Sequence, residues 1–261
     1  MNIIFKGTTI NYTDEGTGKA IVLLHGFLEN SNMWLPFISA LSKKNRVICI
    51  DLLGHGKTGC LGYIHSMELM ADVVEAVISH LKIKKVTFIG HSMGGYVALA
   101  FAEKYPNKTE GLCLMNSTAQ ADSKEKQINR DRAIAAVKQN HKTFIQLAIS
   151  NLFIPKNRTI FSKEIKQIKK EALKTPLQGI IAALEGMKIR KNRDFLLLNN
   201  DYELMMIISK RDPVLNYNNL VSQTKKSQVK VVEFPDGHMS HIENESCFLQ
   251  EINVFIEKIS Y

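Results

Sequence analysis

Five consecutive residues of this 261-residue chain have the types and spacing for covalent chemistry, Gly90-His91-Ser92-Met93-Gly94. The strand formers Val86-Thr-Phe-Ile89 precede them, and a helix-favouring run follows to Phe101. A serine held in a sharp strand-to-helix turn adopts a strained backbone conformation. Side chains at positions 90 and 94 would collide there, so glycine is needed at both. Such a turn exposes the Ser92 hydroxyl as a nucleophile and aims the Met93 backbone N–H at a carbonyl oxygen above it. A G-x-S-x-G run alone is weak evidence. Placed between a strand and a helix, it favours a nucleophile over a helix-capping serine.

A nucleophilic serine needs a base, and the base needs an orienting acid. Both are expected downstream in the order acid, then histidine. Met205-Met-Ile-Ile-Ser209 reads as a buried strand, and Lys210-Arg211-Asp212-Pro213 places Asp212 at its carboxyl end. Val229-Lys-Val-Val-Glu-Phe234 reads as another, followed by Pro235-Asp236-Gly237-His238. Ligands bind outside the carboxyl ends of strands in open α/β sheets, so Asp212 and His238 share the edge expected of Ser92. His238 would take the serine proton and return it to the leaving group, with Asp212 fixing its tautomer. Asp236 and Asp194 are the other carboxylates able to fill the acid role.

Upstream, Ala20-Ile-Val-Leu-Leu24 is a further apolar strand running into His25-Gly26-Phe27-Leu28. That loop can supply a second oxyanion donor, the Phe27 N–H. Losing one such donor costs about 3 kcal/mol of transition-state stabilisation. Phe27, Leu28, Met93 and Met239 are the residues expected to contact the substrate. Arg46-Val-Ile-Cys-Ile-Asp51 is another strand, followed by the turn Leu52-Leu-Gly54-His-Gly56-Lys-Thr58.

Taken together, the chain resembles the α/β-hydrolase fold family over nearly its whole length. His25-Gly26, Asp51-x-x-Gly54-x-Gly56, the turn at Ser92, Asp212 and Gly237-His238 match family landmarks in position and order. Trp34, in Asn32-Met-Trp-Leu-Pro36, is similar to the family's segment after the oxyanion loop, though packing alone would explain it. Two positions depart from the pattern. Ser209 and Thr58 stand where relatives often carry glycine and serine. The resemblance implies a mostly parallel sheet with helices on both faces and an inserted helical cap. It also implies a Ser-His-Asp hydrolase, and serine at position 92 disfavours the dehalogenase and epoxide-hydrolase chemistry of relatives with aspartate there.

The elements that must position these groups fall into three stretches. Strands and helices alternate through Gly111–Asn116 and again from Leu204, closing with a helix over Ser246–Ile259; this alternation implies a parallel sheet. Between them strand signals vanish. Apolar residues at helical spacing run over Asp131–Ile149 and Lys163–Leu173, with Pro176–Met187 a further helix and Pro155 and Pro176 as breaks. Residues 1–116 and 196–261 are therefore expected to form the core and 117–195 a cap above the site.

An apolar share of 45 % is ordinary for a globular chain. No apolar run is long enough to span a bilayer, and Met1–Lys6 lacks a signal-peptide pattern. Cys49, Cys60, Cys113 and Cys247 form no paired motif and read as free thiols, which with the lack of a leader suggests the cytoplasm. His238 and His241 are three apart, but no carboxylate or thiol cluster supports a metal, and none is expected. Gly54-His-Gly56 lacks the third glycine of a dinucleotide fingerprint, so no cofactor is expected. His241 and His91 read as packing and shape-fixing residues, His55 as part of its turn, and Glu243 as a structural hydrogen-bonding group.

The net charge of +9 is unevenly placed. Residues 117–195 hold 17 basic and 7 acidic side chains, a net of +10, and the rest hold 17 and 18, a net of −1. A solvated lysine-rich surface explains any single residue. The skew as a whole suits an anionic small-molecule substrate or an acyl group on an acidic carrier protein, with Lys163, Lys166, Lys169 and Lys170 mostly on one helix face. No nucleic-acid recognition motif accompanies it. The expected reaction is cleavage of a carboxylic ester or thioester through an acyl-enzyme. A ligand receptor on the same fold, or a cofactor-free lyase or carbon–carbon hydrolase, is the alternative.

Overall fold

The computed structural model describes residues 1–198, 201–225 and 227–259. Eight strands form one sheet in the order β1-β2-β4-β3-β5-β6-β7-β8. They are β1 (Asn2–Phe5), β2 (Thr8–Glu15), β3 (Lys19–Leu24), β4 (Asn45–Ile50), β5 (Val86–His91), β6 (Thr109–Met115), β7 (Glu203–Ser209) and β8 (Lys230–Phe234). β1 and β2 form a hairpin whose turn residues, Lys6 and Gly7, both have positive φ (48° and 80°). That turn matches the natural twist of the paired strands. β1–β2 and β2–β4 are antiparallel pairs, and the remaining neighbouring pairs are parallel. The expected strands are all present, with ends moved by one or two residues.

Before β6 the chain forms α1 (Leu35–Leu41), α2 (Met67–His80) and α3 (Met93–Lys104). Between β6 and β7 come α4 (Lys124–Gln139), α5 (His141–Ser150), α6 (Pro155–Ile160), α7 (Ser162–Ala172) and α8 (Leu177–Lys188). Helices α9 (Tyr217–Thr224), α10 (Ser240–Glu243) and α11 (Glu245–Ile259) follow.

Successive side chains of a strand point to opposite faces, and the core divides accordingly. Ala20, Val22 and Leu24 of β3 join Phe88 of β5 and Leu112 and Leu114 of β6 in one buried cluster, under α2, α3 and α9. Ile21 and Leu23 join Ile89, Cys113 and Met115 in the other, under α1 and α11. Helices thus cover both faces of the sheet, which explains why its central strands read as continuous apolar runs.

The region of helical spacing over 131–149 is two helices rather than one. Asn140 breaks it, and its side chain accepts the Thr143 N–H at 2.9 Å to cap α5. α4 starts earlier than the apolar spacing suggests, at a Ser123 cap, because its first turns are polar. Pro155 starts α6 as its first residue, a place where a missing N–H costs nothing. The two ends of this helical stretch meet where the Arg193 N–H donates to the Ala119 carbonyl at 2.7 Å. The Arg193 guanidinium, almost fully buried, is held by Glu68 at 2.6 Å and Glu103 at 2.8 Å. α8 docks on the turn after β4: the His65 N–H donates to Ala182 at 2.9 Å. No described helix is long and apolar enough to cross a membrane.

Candidate active site

Ser92 sits between β5 and α3 with φ 49° and ψ −111°, outside the ordinary wells of a side-chain-bearing residue. Such a conformation costs on the order of 1–3 kcal/mol and persists only where neighbours fix it. Here the Ser92 N–H donates to the Met115 carbonyl at 2.9 Å, and its carbonyl accepts from Ser117 Oγ at 2.8 Å. The flanking glycines have the steric reason the sequence suggests. A Cβ on Gly90 would lie 2.6 Å from the Gly94 backbone, and one on Gly94 would strike the Leu24 carbonyl. Close approach of β5, α3 and β3 therefore requires both.

The loop after β8 carries His238 across the strand ends. Its Nε2 lies 2.9 Å from Ser92 Oγ, and its Nδ1 lies 2.7 Å from Asp212 Oδ2. The other Asp212 oxygen accepts the N–H groups of Val214 at 2.8 Å and Leu215 at 3.0 Å. Burial pushes this carboxyl upward, but the His238 ring and these hydrogen bonds hold its pKa below the usual carboxylate value. An ionised Asp212 can only accept, so Nδ1 of His238 carries the proton and Nε2 presents a lone pair to the serine. Asp236 pairs instead with Arg211 at 3.1 Å. Asp194 bonds Gln120 and Asn192, each at 3.3 Å.

Behind Asp212 lies a group that sequence reasoning missed. Asn116, with φ 45°, donates from Nδ2 to Ser209 Oγ at 2.9 Å and to Asp212 Oδ2 at 3.1 Å. Ser209 Oγ lies 2.9 Å from Ser240 Oγ, and Ser240 donates to Asn116 Oδ1 at 2.6 Å. The three side chains close a ring in which each donates to the next. Serine in place of the glycine common among relatives was the one available signal.

Among the described residues, the backbone N–H groups of Phe27 and Met93 have no hydrogen-bond partner in the protein. The loop carrying Phe27 is fixed from below. Leu28 takes φ 64°, and the Glu29 N–H closes the turn onto Gly26 at 3.2 Å. Asp51 anchors the neighbouring chain by accepting from Ser31 at 2.8 Å and Lys57 at 2.9 Å. Gly56 is needed beside it, since a Cβ there would strike the Asp51 carboxylate. His55 is buried beside His25 and Phe27, with ring centroids 5.3 and 6.1 Å away. Burial lowers its pKa to about 3, which keeps it neutral.

Phe27 is half-buried, whereas Leu28, Met93 and Met239 are buried. Leu28 also lines a groove of about 690 Å³ between α1 and α7, together with Met33, Phe37, Ile168 and Ile242. Trp34 is packed against Phe248 and Phe37 at 6.4 Å. His241 packs against Trp34 and His91, and burial takes its pKa to about 3. Glu243 accepts from Asn157 Nδ2 at 2.7 Å and from the Met239 N–H at 3.2 Å. Of the four lysines grouped on α7, Lys166, Lys169 and Lys170 line one groove beside Arg158, while Lys163 faces the groove with Leu28.

A second pair also escaped sequence reasoning. His91 Nδ1 lies 2.6 Å from Glu29 Oε2, both side chains being buried. Nothing at Glu29 marks it in the sequence, because its partner is 62 positions away.

The alpha/beta hydrolase fold family matches residues 19–245. A thermophilic esterase from Thermogutta terrifontis, solved with malate bound, superposes with a TM-score of 0.89 at 29 % identity, over 99 % of this chain and 97 % of that one. The enol-lactonase from Burkholderia xenovorans LB400 has a TM-score of 0.91 at 22 % identity, over 98 % of this chain and all of that one (100 %), and so shares the fold. The (E)-2-((N-methylformamido)methylene)succinate hydrolase of Acinetobacter baylyi is 26 % identical over 172 residues, 66 % of this chain and 62 % of that protein. Uncharacterized proteins of Mycobacterium tuberculosis are 37 % identical over 102 residues, 39 % of this chain, and the match spans only 30 % of their length. The eight-stranded sheet, the strand-end site and the match over 19–245 lead to one assignment: the chain belongs to the α/β-hydrolase fold family.

Proposed function

We propose that the protein is a serine hydrolase that cleaves a carboxylic ester or thioester of a small molecule through an acyl-enzyme. The observation that carries this reading is the unbroken line Ser92–His238–Asp212, with hydrogen bonds of 2.9 and 2.7 Å. In this reading Ser92 Oγ attacks the carbonyl carbon while its proton passes to His238 Nε2. The unpartnered Phe27 and Met93 N–H groups receive the oxyanion. Collapse of the adduct expels the alcohol or thiol, which takes the proton from His238. Water then repeats the cycle on the acyl-enzyme with His238 again as base. Phe27, Leu28, Met93 and Met239 form the wall nearest the acyl group.

The five helices between β6 and β7 act as a cap, residues 117–195, on a core of residues 1–116 and 196–261. Its net charge of +10 favours an anionic substrate. Two relatives are in keeping with that, one an esterase holding malate and one a hydrolase of a substituted succinate. Lys126 on α4 is a cap cation close enough to the site to interact with Asp212. Its side chain is exposed, partial desolvation lowers its pKa, and Asp122 and Asp212 favour its charged form. The free thiols Cys49, Cys60, Cys113 and Cys247 suit a reducing compartment such as the cytoplasm.

A series of p-nitrophenyl esters differing in acyl length, with and without a terminal carboxylate, tests the proposal. Turnover that falls to background in Ser92→Ala supports it. A protein that binds these esters without turning them over is a receptor on this fold.

A further inference from the structure

The groups assigned to the reaction are tied together by a buried pair the chemistry itself does not use. His91 Nδ1 is 2.6 Å from Glu29 Oε2, and His91 Nε2 is 3.1 Å from the carbonyl oxygen of His238. Glu29 Oε2 also accepts the Gly26 N–H at 2.7 Å. Gly26 precedes Phe27 in the oxyanion loop, and His91 precedes Ser92. One carboxylate and one ring therefore connect the oxyanion loop, the nucleophile turn and the histidine loop.

The contacts also fix a protonation state. A carbonyl oxygen only accepts, so His91 Nε2 must carry a hydrogen. The proton between Nδ1 and Oε2 could in principle sit on either atom. Oε2 already accepts a 2.7 Å bond from Gly26, a length typical of a charged acceptor, which places that proton on the ring. Burial opposes charge on both groups, yet each partner stabilises the other: His91 is raised above the usual histidine value and Glu29 is lowered to about 2. The remaining groups facing the pair do not compete for the proton. Burial lowers His241 to about 3 and also lowers His25, so both stay neutral. The His238 ring, 5.1 Å from that of His91, is engaged by Asp212 and Ser92, and Asp212 beyond it favours the charged His91 ring.

We propose that Glu29 and His91 form a lasting ion pair, with His91 an imidazolium, that positions the Phe27 amide and the His238 main chain against Ser92. Both are positioning residues, and the proposal rests on the serine-hydrolase reading for its kinetic consequences. The oxyanion exists only on the reaction path, so loosening the loop should lower kcat more than it raises KM.

The test has two parts. Nitrogen-15 NMR of the native protein labelled at histidine should show both ring nitrogens of His91 protonated at neutral pH. A neutral ring with a single N–H would overturn the proposal, whether or not the protein turns over any ester. In Glu29→Gln, His91 should become neutral and kcat should fall about 100-fold, the scale of a 1 Å misplacement, with KM little changed. The alkaline limb of the pH profile should move to lower pH, since a ring with less support for its charge loses its proton earlier. Native kcat with an unchanged pH profile in Glu29→Gln contradicts the proposal. Should that variant not fold, the NMR measurement on the native protein decides alone. Absence of turnover with Ser92→Ala-insensitive binding defeats the hydrolase reading and leaves the NMR outcome standing.

Discussion

His238 Nε2 lies 2.9 Å from Ser92 Oγ, although 146 positions separate the two residues. Two loops at the carboxyl ends of non-adjacent strands bring them together, β5 for Ser92 and β8 for His238. Strand order alone does not set this distance. It depends on the Met115 carbonyl holding the serine turn, on Leu152 accepting the His238 N–H at 2.9 Å, and on Asp212 holding the ring.

Replacing Asp212 with asparagine keeps the shape and inverts the hydrogen bonding. The amide favours the tautomer in which Nε2 carries the proton and cannot accept from Ser92. We expect kcat on a p-nitrophenyl ester to fall about 10⁴-fold with the thermal midpoint little changed. Retention of a tenth of native kcat would remove Asp212 from its role.

The two histidines of the same loop should separate cleanly. His238→Ala should remove nearly all turnover. His241 is buried among Trp34 and His91 and stays neutral, so His241→Ala should cost about 2 kcal/mol of stability through the cavity left behind and keep a substantial share of kcat. Urea unfolding and steady-state kinetics on the same preparations measure both effects.

Ser209→Ala breaks the ring of Asn116, Ser209 and Ser240, removing the shortest acceptor of Asn116 Nδ2 and the buried hydrogen bond to Ser240 Oγ. The expected cost is about 1–3 kcal/mol, with a smaller fall in kcat through the Asn116 bond to Asp212. An unchanged urea midpoint would show that the ring is idle.

Asp122 joins the start of α4 to Arg130 at 2.9 Å and Arg190 at 2.6 Å, and Arg190 stacks on Tyr96 at 4.1 Å. Burial raises the Asp122 pKa, but the two arginines outweigh it and hold it below the ordinary 3.8. A depressed folded value means the stabilisation is present above that ordinary value and is lost as pH falls through the folded one. Asp122→Asn should therefore cost about 3 kcal/mol at neutral pH and progressively less in acid, read from unfolding curves across pH. A penalty that is equal at all pH values would show that charge is not its source.

If the basic helices recruit an anionic substrate, salt should separate substrates by charge. Attraction beyond about 8 Å is screened at physiological ionic strength. Added salt should lower kcat/KM for a carboxylate-bearing ester more than for a neutral ester of equal length, and Lys166→Glu with Lys169→Glu should do the same. Equal responses would leave these lysines as a solvated surface.

Much of this architecture is legible because it is encoded locally. Strand runs such as Ala20–Leu24 and Val86–Ile89 are buried on both faces, so they stand out as apolar blocks. Gly90 and Gly94 are legible because a single turn dictates them. Glu29 and Asn116 were not, since their meaning comes from partners 62 and 96 positions away that only the folded sheet brings close. The break at Asn140 was also hidden. Apolar spacing continues through it, and the cap that divides the helices is a single side-chain hydrogen bond to Thr143.

The central claim is that Ser92 is the nucleophile, and covalent capture tests it most directly. A fluorophosphonate probe followed by peptide mass spectrometry should place the adduct on Ser92, and labelling should vanish in Ser92→Ala and slow sharply in His238→Ala. Labelling that persists unchanged in Ser92→Ala, or an adduct found on another residue, would contradict the account.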